Sequence, residues 1–130
     1  MKIFVYGTLM QGLPLHSALH SATPLGAASI TGELFDLGPF PALLAGQSSV
    51  QGELYAPSPA SLAKLDEIEG YRPEQPDASL YQRKTVTAIP PDGRTHQAQA
   101  YFYNRAIKAP LRIEHGDYRR YLKEIEGGAT

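Results

Sequence analysis

Cysteine is absent from the chain, which excludes disulfide bonds, thiolate metal sites and a cysteine nucleophile. An excess of charge is also missing, since 12 Lys and Arg residues stand against 13 Asp and Glu residues. The net charge of -1 offers no basic excess to neutralise a phosphate backbone, so nucleic acid is not the expected partner. The first hydrophobic run, residues 3–6, is too short for a signal peptide, and no later run approaches a membrane span. We therefore expect a cytoplasmic protein that does not bind a membrane.

The residue patterns of several familiar enzyme classes are absent as well. The sequence contains no G-x-S-x-G elbow, no G-x-G-x-x-G loop and no Walker loop. His16 and His20 have the i, i+4 spacing of two metal ligands on one helix face, but Ser17 occupies the position of the catalytic Glu and no third ligand pattern follows. We interpret the two histidines as part of a solvated helix face, and we predict no metal site.

The chain does contain enough apolar material for a core, together with many residues that form turns. Hydrophobic residues make up 42% of its 130 residues, which predicts one globular domain over residues 1–130. The 12 glycines, 11 prolines and 8 tyrosines favour short strands joined by many turns. No exposed apolar run is present that would predict an oligomer.

Five segments have the composition or the alternation of β-strands. They are residues 2–6, 30–37, 50–56, 80–89 and 97–103. Residues 38–46 separate the second from the third and predict a turn-rich loop with an apolar tip, while residues 90–93 (PPDG) predict a hairpin turn between the last two. Residues 72–77 have the composition of a surface loop.

Three segments are predicted to be helical. Residues 13–20 indicate a short helix, and residues 117–125 a final helix with Asp117 as its cap. The clearest helix covers residues 58–69, because Ser58 is a good N-cap, Pro59 suits the first helical position and Gly70 is a favoured left-handed terminator. Strands without a regular βαβ alternation predict an α+β fold, a mostly antiparallel sheet or barrel with two or three helices.

One carboxylate on the helix 58–69 is directed toward the core. At about 100° per residue, Leu62, Leu65 and Ile68 form an apolar stripe, and Glu69 falls inside it while Glu67 faces water. A buried, unpaired carboxyl has a raised pKa, which suits it to general acid–base chemistry. In the alternative interpretation, Glu69 swings outward at the helix end and bonds a backbone amide or Arg83.

The loop at residues 6–12 is the segment that we expect to form a site together with Glu69. It follows a buried strand and precedes a helix, and its glycines allow successive backbone N–H groups to form a concave array that binds carboxylate or phosphate. A simple turn explains the same residues without any ligand.

Taken in order, several short motifs resemble those of the gamma-glutamylcyclotransferase-like superfamily. The resemblance is closest to its gamma-glutamylamine cyclotransferase branch and related small bacterial proteins. The motifs are VYGTL at 5–9, GPFP at 38–41 followed by AG at 45–46, VQGELY at 50–55, LDEIEG at 65–70, LYQR at 80–83 and YFY at 101–103.

This resemblance implies a small β-barrel flanked by helices, with a cavity near the first loop. It implies that Glu69 is the catalytic acid/base and that the substrate is a gamma-glutamyl conjugate, cyclised to 5-oxoproline with release of an amine. The residues implied to bind the substrate are Tyr6, Gly7, Thr8, Leu9 and Tyr81. No metal or organic cofactor is needed for this reaction.

Other interpretations of the same scaffold remain open at this point. The cavity would also suit a non-catalytic domain that binds a small carboxylate, or another amide-cleaving acyl transferase. Tyr103 is a further candidate to line the cavity. Residues 38–46 and 72–78 are the candidate determinants of the leaving amine. Residues 116–118 (GDY) resemble a Gly-Asp-Trp element of some bacterial relatives, and we interpret them as helix capping and packing.

Overall fold

The computed structural model describes residues 1–107 and 111–128. Its helices are α1 (Pro59–Ile68) and α2 (Tyr118–Gly128), and short 3₁₀ helices cover His16–Leu19 and Pro76–Ala78. Its strands are β1 (Ile3–Val5), β2 (Thr23–Asp36), β3 (Pro41–Ala56), β4 (Tyr81–Ala88), β5 (His96–Tyr103) and β6 (Leu111–Arg112). No helix in these two ranges combines the length and the apolar character needed to cross a membrane.

The described strands form one curled sheet in the order β4-β5-β1-β3-β2-β6. β1 and β5 run parallel, and the other neighbouring pairs run antiparallel. Ser29 of β2 and Ile89, which directly follows β4, exchange backbone hydrogen bonds of 3.0 and 2.8 Å. The edge formed by β4 therefore curls round to meet β2, and the sheet is a half-barrel. The predicted α+β fold with a mostly antiparallel, barrel-like sheet is confirmed.

β1 is the buried centre of this sheet. Ile3 and Phe4 are fully buried, and the strand pairs with β3 on one side and β5 on the other. Gly52 of β3 lies so close to the Val5 carbonyl and the Phe4 ring that a Cβ atom there would collide with both. The short strand is therefore held rigidly, and it delivers the following loop to a defined place.

The ends of α1 match the predicted caps. The Ser58 hydroxyl accepts a hydrogen bond of 3.1 Å from the Ser61 amide, and Gly70 adopts φ +64° after the last turn. The Tyr71 amide donates to the Asp66 carbonyl at 2.8 Å, which closes the helix end in a Schellman arrangement. This termination holds Glu69 at the C-cap, with φ -83° and ψ -1°.

The strands β2 and β3 are longer than predicted. They begin at Thr23 and Pro41 rather than at residues 30 and 50, so the predicted loop 38–46 shrinks to a turn closed by the Leu37 amide on the Phe40 carbonyl at 3.1 Å. Residues 23–29 and 45–49 are rich in Ala, Gly, Ser and Thr, and most of these types have little strand propensity of their own. Pairing with the other strand makes them extended, which a local pattern cannot reveal.

The helix predictions also need correction. Residues 13–20 form only the 3₁₀ helix His16–Leu19, with Pro14 and Gly12 just before it. The last helix begins at Tyr118 and continues to Gly128, beyond the predicted residue 125, and the Asp117 carboxylate caps it by accepting from the Arg120 amide at 3.1 Å. Ile68 was predicted within the apolar stripe of α1, but it is the last residue of the helix and is 37% exposed.

Candidate active site

A pocket opens where the loop after β1, the end of α1 and the turn between β2 and β3 approach one another. Its cavity volume is about 30 Å³, and the space rises to about 330 Å³ when the open mouth is included. The lining residues are Phe4, Val5, Tyr6, Gly7, Thr8, Leu9, Phe40, Pro41, Glu69, Tyr81 and Tyr101. The interior is therefore narrow, and it suits a small group rather than a whole large ligand.

Three separate elements bring the residues predicted from the sequence into this one pocket. The loop after β1 supplies four of them, the C-cap of α1 supplies Glu69, and the first residue of β4 supplies Tyr81. The four from the loop are Tyr6, Gly7, Thr8 and Leu9. The structure thus places all six side by side, although they span 76 positions of the chain from 6 to 81.

The loop is held in a tight, hydrogen-bonded path. The Met10 amide donates to the Gly7 carbonyl at 3.0 Å, and the Leu15 amide donates to the Thr8 carbonyl at 2.9 Å. A Cβ atom on Gly7 would lie 2.6 Å from Cγ of Pro41, so only glycine allows the two walls to approach this closely. The amides of residues 7–9 have no hydrogen-bond acceptor among the described residues, and they are available to bind an anion.

Glu69 is a partly buried carboxyl group without a compensating partner. Burial raises its pKa from 4.5 to about 7, and neither a hydrogen bond nor a neighbouring cation in the described part of the chain opposes that shift. Near neutral pH the group is therefore present in both its acid and its base form. Among the pocket-lining residues it is the one side chain that titrates in this range, and no Lys or Arg lines the pocket.

Three tyrosines surround Glu69, and each donates its hydroxyl proton elsewhere. Tyr6 donates to the Tyr101 carbonyl at 2.7 Å, Tyr81 to the Pro41 carbonyl at 2.9 Å, and Tyr101 to Asp66 Oδ1 at 2.6 Å. Burial raises the pKa of all three phenols, and the nearby Glu69 charge adds to the effect. These bonds fix the rings as walls and leave the carboxyl of Glu69 without a donor.

Arg83, the alternative partner for Glu69, interacts with a different carboxylate. Its Nε atom lies 3.5 Å from Asp66 Oδ1, and its guanidinium stacks 5.3 Å from the centre of the Tyr71 ring. The geometry therefore does not support the interpretation in which Glu69 turns outward to bind Arg83. It agrees instead with the inward orientation predicted from the helix period.

A comparison with known families decides what kind of protein has this pocket. The model of the family described as "Gamma-glutamyl cyclotransferase, AIG2-like" matches residues 3–120 of the chain. The chain belongs to this family. The resemblance detected in its sequence motifs is thereby confirmed.

Relatives in the gamma-glutamylcyclotransferase family support the same assignment. The chain is 36% identical to the gamma-L-glutamyl-butirosin B gamma-glutamyl cyclotransferase of Niallia circulans. The alignment has 129 residues and covers 98% of this chain and 81% of that protein. The chain is 33% identical to the gamma-glutamylcyclotransferase family protein YtfP of Escherichia coli K12, over 91% of this chain and 96% of that protein. The crystal structure of a mouse AIG2-like protein superposes with a TM-score of 0.71 at 30% identity, covering 90% and 86% of the two chains. The chain is a gamma-glutamylcyclotransferase-like enzyme.

The residues that line the pocket in this enzyme differ in part from those predicted from the sequence. Tyr101, rather than Tyr103, lines it, since Tyr103 lies farther along β5 and packs against the Tyr81 ring at 5.2 Å. Phe40 and Pro41 line it from the predicted specificity segment 38–46. No residue of the other predicted segment, 72–78, does so. Tyr101 was detectable in the sequence as part of an alternating aromatic strand, but its depth in the pocket depends on strand pairing.

No histidine is among the residues that line the pocket, although His16 contacts the backbone of the lining residue Leu9. His16 Nδ1 contacts the Leu9 carbonyl at 3.0 Å and His20 Nδ1 the Ser17 carbonyl at 3.0 Å. The described residues contain no group of three or more His, Asp or Glu side chains arranged to hold a metal ion.

Proposed function

We propose that this enzyme converts a gamma-glutamyl amine, or a related small conjugate, into 5-oxoproline and a free amine. Glu69 is the acid/base, and the backbone amides of residues 7–9 bind the glutamyl group. The observation that carries the proposal is the partnerless Glu69 carboxyl, whose pKa is about 7, in the same pocket as those amides.

The reaction is an internal displacement that needs no water. Glu69 in its carboxylate form takes a proton from the α-ammonium group, and the freed amine attacks the γ-carbonyl carbon of the same molecule. A carbon–nitrogen bond closes the five-membered ring, the bond to the leaving amine breaks, and Glu69 returns the proton to the departing nitrogen. The ring nitrogen releases its second proton, and the freed amine takes it up and leaves as an ammonium ion. Since both reactants lie in one molecule, holding the cyclisable conformer is most of the enzyme's task.

Backbone amides are the natural anion-binding groups of this pocket. No Lys or Arg lines it, so a substrate α-carboxylate or a developing oxyanion depends on N–H donors. The amides of Gly7, Thr8 and Leu9 have no acceptor among the described residues. They line the same pocket as Glu69, which accepts a proton, whereas the amides donate hydrogen bonds.

The size of the pocket bears on which part of the substrate enters it. Its narrow interior has room for a small group, so the glutamyl part lies inside and the amine lies near the mouth. The relative from Niallia circulans, by its name, acts on a gamma-L-glutamyl derivative of butirosin B, which supports a gamma-glutamyl amide as the substrate class. Phe40 and Pro41 are the lining residues that we assign to selection of the amine.

The test is a panel of gamma-glutamyl amines incubated with the enzyme, with product identified by mass. We expect 5-oxoproline and free amine from the γ-glutamyl compounds and nothing from their N-acetylated forms, in which the α-amine is blocked. Repeating the reaction in ¹⁸O-labelled water separates cyclisation from hydrolysis, because cyclisation incorporates no solvent oxygen. Glu67→Gln on the exposed face of α1 is the matched control for Glu69→Gln.

Three outcomes would overturn the proposal in different ways. Labelled glutamate as the product would identify an amide-cleaving hydrolase. Saturable binding of gamma-glutamyl compounds without any product would identify a carboxylate-binding domain. Undiminished 5-oxoproline formation in Glu69→Gln would remove Glu69 from the mechanism.

A further inference from the structure

The C-terminal helix α2 contacts the strands β2 and β3 but contributes no residue to the pocket lining. Its attachment begins at Gly116, whose carbonyl accepts a hydrogen bond of 2.8 Å from the Gln51 amide of β3. Gly116 has φ +72°, and a Cβ atom there would collide with the Ser49 carbonyl. The segment just before the helix is therefore in direct backbone contact with β3, and only glycine permits that contact.

Arg119, in the first turn of α2, contacts the loop that follows β1 at Gln11, beyond the residues that line the pocket. Its Nη2 atom donates to the Gln11 carbonyl at 2.7 Å and to Glu53 Oε2 at 2.9 Å. Glu53 Oε1 in turn accepts from the Gln11 amide at 2.9 Å and from the Tyr55 hydroxyl at 2.9 Å. The backbone at Gln11 is thus held from both its N–H and its C=O side, two positions beyond Leu9.

Tyr121, on the same helix, contacts the other side of the pocket, which is the turn between β2 and β3. Its hydroxyl donates to Asp36 Oδ2 at 2.6 Å, and Asp36 Oδ1 accepts from the Gly38 amide at 2.6 Å. This amide belongs to the turn that leads directly to Phe40 and Pro41 of the pocket lining. The Tyr121 ring stacks on Tyr118, which is buried against the sheet, so its position is well defined.

We propose that Arg119 and Tyr121 are positioning residues, through which α2 sets the spacing of the two walls of the active site. Arg119 acts on the loop 7–12 through Glu53, and Tyr121 acts on the turn 37–40 through Asp36. The proposal rests on the proposed function for its catalytic consequence, but the geometric claim is independent of the substrate.

The tightness of the pocket explains why such positioning matters. Gly7 and Pro41 belong to the two walls, and a single Cβ atom would not fit between them. A shift of a few tenths of an ångström in the loop changes the distance between its amides and Glu69, and a similar shift in the turn changes the width of the pocket. Binding and orientation of a small group depend steeply on such distances.

Amide hydrogen exchange tests the geometric claim directly. In Arg119→Met we expect exchange at the Gln11 amide to become about ten-fold faster while Gly38 is unchanged, as follows from losing one charge-assisted contact. In Tyr121→Phe we expect the reverse pattern, with Gly38 faster and Gln11 unchanged. Arg120→Met is the matched control, because Arg120 pairs only with Glu124 of its own helix among the described residues.

Kinetics with a gamma-glutamyl amine test the catalytic consequence. We expect kcat/KM to fall by about ten-fold in Arg119→Met and in Tyr121→Phe, by the same loss of one anchoring contact. Arg119→Lys should recover part of the loss, because lysine can reach one of the two acceptors. Arg120→Met should retain the parental kcat/KM and the same thermal midpoint.

The outcomes separate this proposal from the proposed function. If the parental enzyme turns over no gamma-glutamyl amine, the proposed function fails, and the crossed exchange pattern still supports the positioning role. Equally faster hydrogen exchange at the Gln11 and Gly38 amides in each variant would overturn the proposal, since it would show a global loss of stability. Exchange and kcat/KM equal to those of the parental enzyme would overturn it as well.

Discussion

Glu53 and Glu69 are two partly buried carboxylates at opposite ends of the same loop, and their surroundings differ in the supply of hydrogen-bond donors and in the depth of burial. Glu53 accepts hydrogen bonds from the Gln11 amide, the Tyr55 hydroxyl and Arg119. Burial works to raise the pKa of Glu53, but these donors outweigh it and hold the pKa below 4.5. Glu69 has burial alone, and its pKa rises to about 7.

The difference shows that the supply of donors, together with the depth of burial, decides what a carboxylate does in this fold. A carboxylate with three donors stays ionised and ties chain segments together. A carboxyl with none can exchange a proton near neutral pH. The three tyrosines beside Glu69 could have donated to it, but all of them donate to other acceptors.

Glu69→Gln should have the largest effect. We expect 5-oxoproline formation to fall by about 10³-fold, because the amide can neither take nor return a proton. Turnover measured with a gamma-glutamyl amine checks this, and Glu67→Gln should retain full activity. A fall of less than about ten-fold would contradict a role in proton transfer.

The stability of the protein should depend on pH through Glu69. The unfolded carboxyl ionises near pH 4.5, whereas the folded one keeps its proton up to about pH 7, so the unfolded state binds fewer protons in between. Stability therefore falls as pH rises through this window, by up to about 3 kcal/mol.

Comparison with Glu69→Gln isolates this contribution, because glutamine does not titrate. The variant should gain stability relative to the parental enzyme between pH 4.5 and about pH 7 and hold that gain above it. Urea unfolding across this range checks the difference. A difference that stays constant with pH would show that the folded carboxyl titrates normally.

Glu53→Gln should act in the opposite direction on stability. Glutamine can still accept from the Gln11 amide, but its interaction with Arg119 loses the charge, so we expect a loss of about 1 kcal/mol at neutral pH. Activity should fall by less than for Glu69→Gln, since Glu53 does not line the pocket. Urea unfolding near pH 7 checks the stability, and a variant as stable as the parental enzyme would contradict the role given to Glu53.

The smallest expected effect is the acid dependence of that loss. The folded pKa of Glu53 is lowered, so its contribution is present above pH 4.5 and disappears as the pH falls through the folded value. The difference between the parental enzyme and Glu53→Gln should therefore shrink in acid, while the Glu69→Gln difference shrinks over a higher pH window. Unfolding curves at acidic pH check this, and a difference that grows in acid would contradict it.

Local sequence signals predicted the parts of the fold that are stabilised locally. The cap at Ser58 and the terminator Gly70 follow from neighbouring residues, and the structure confirms them. The lengths of β2 and β3 were predicted wrongly, because their weakly strand-forming halves become extended only by pairing with each other. For the same reason the sequence favoured Tyr103 over Tyr101 as a lining residue.

From the sequence by itself, the helix period predicted Glu69 on the core-facing side of α1 and left open an outward turn at the helix end. Only the tertiary structure decided that Glu69 has no donor in the pocket. Arg83 interacts with Asp66, and the tyrosines that reach the pocket donate to Pro41, to Asp66 or to the backbone of β5. Each of these acceptors lies 17 to 95 positions from its donor in the chain, and a period of 3.6 residues carries no information over that distance.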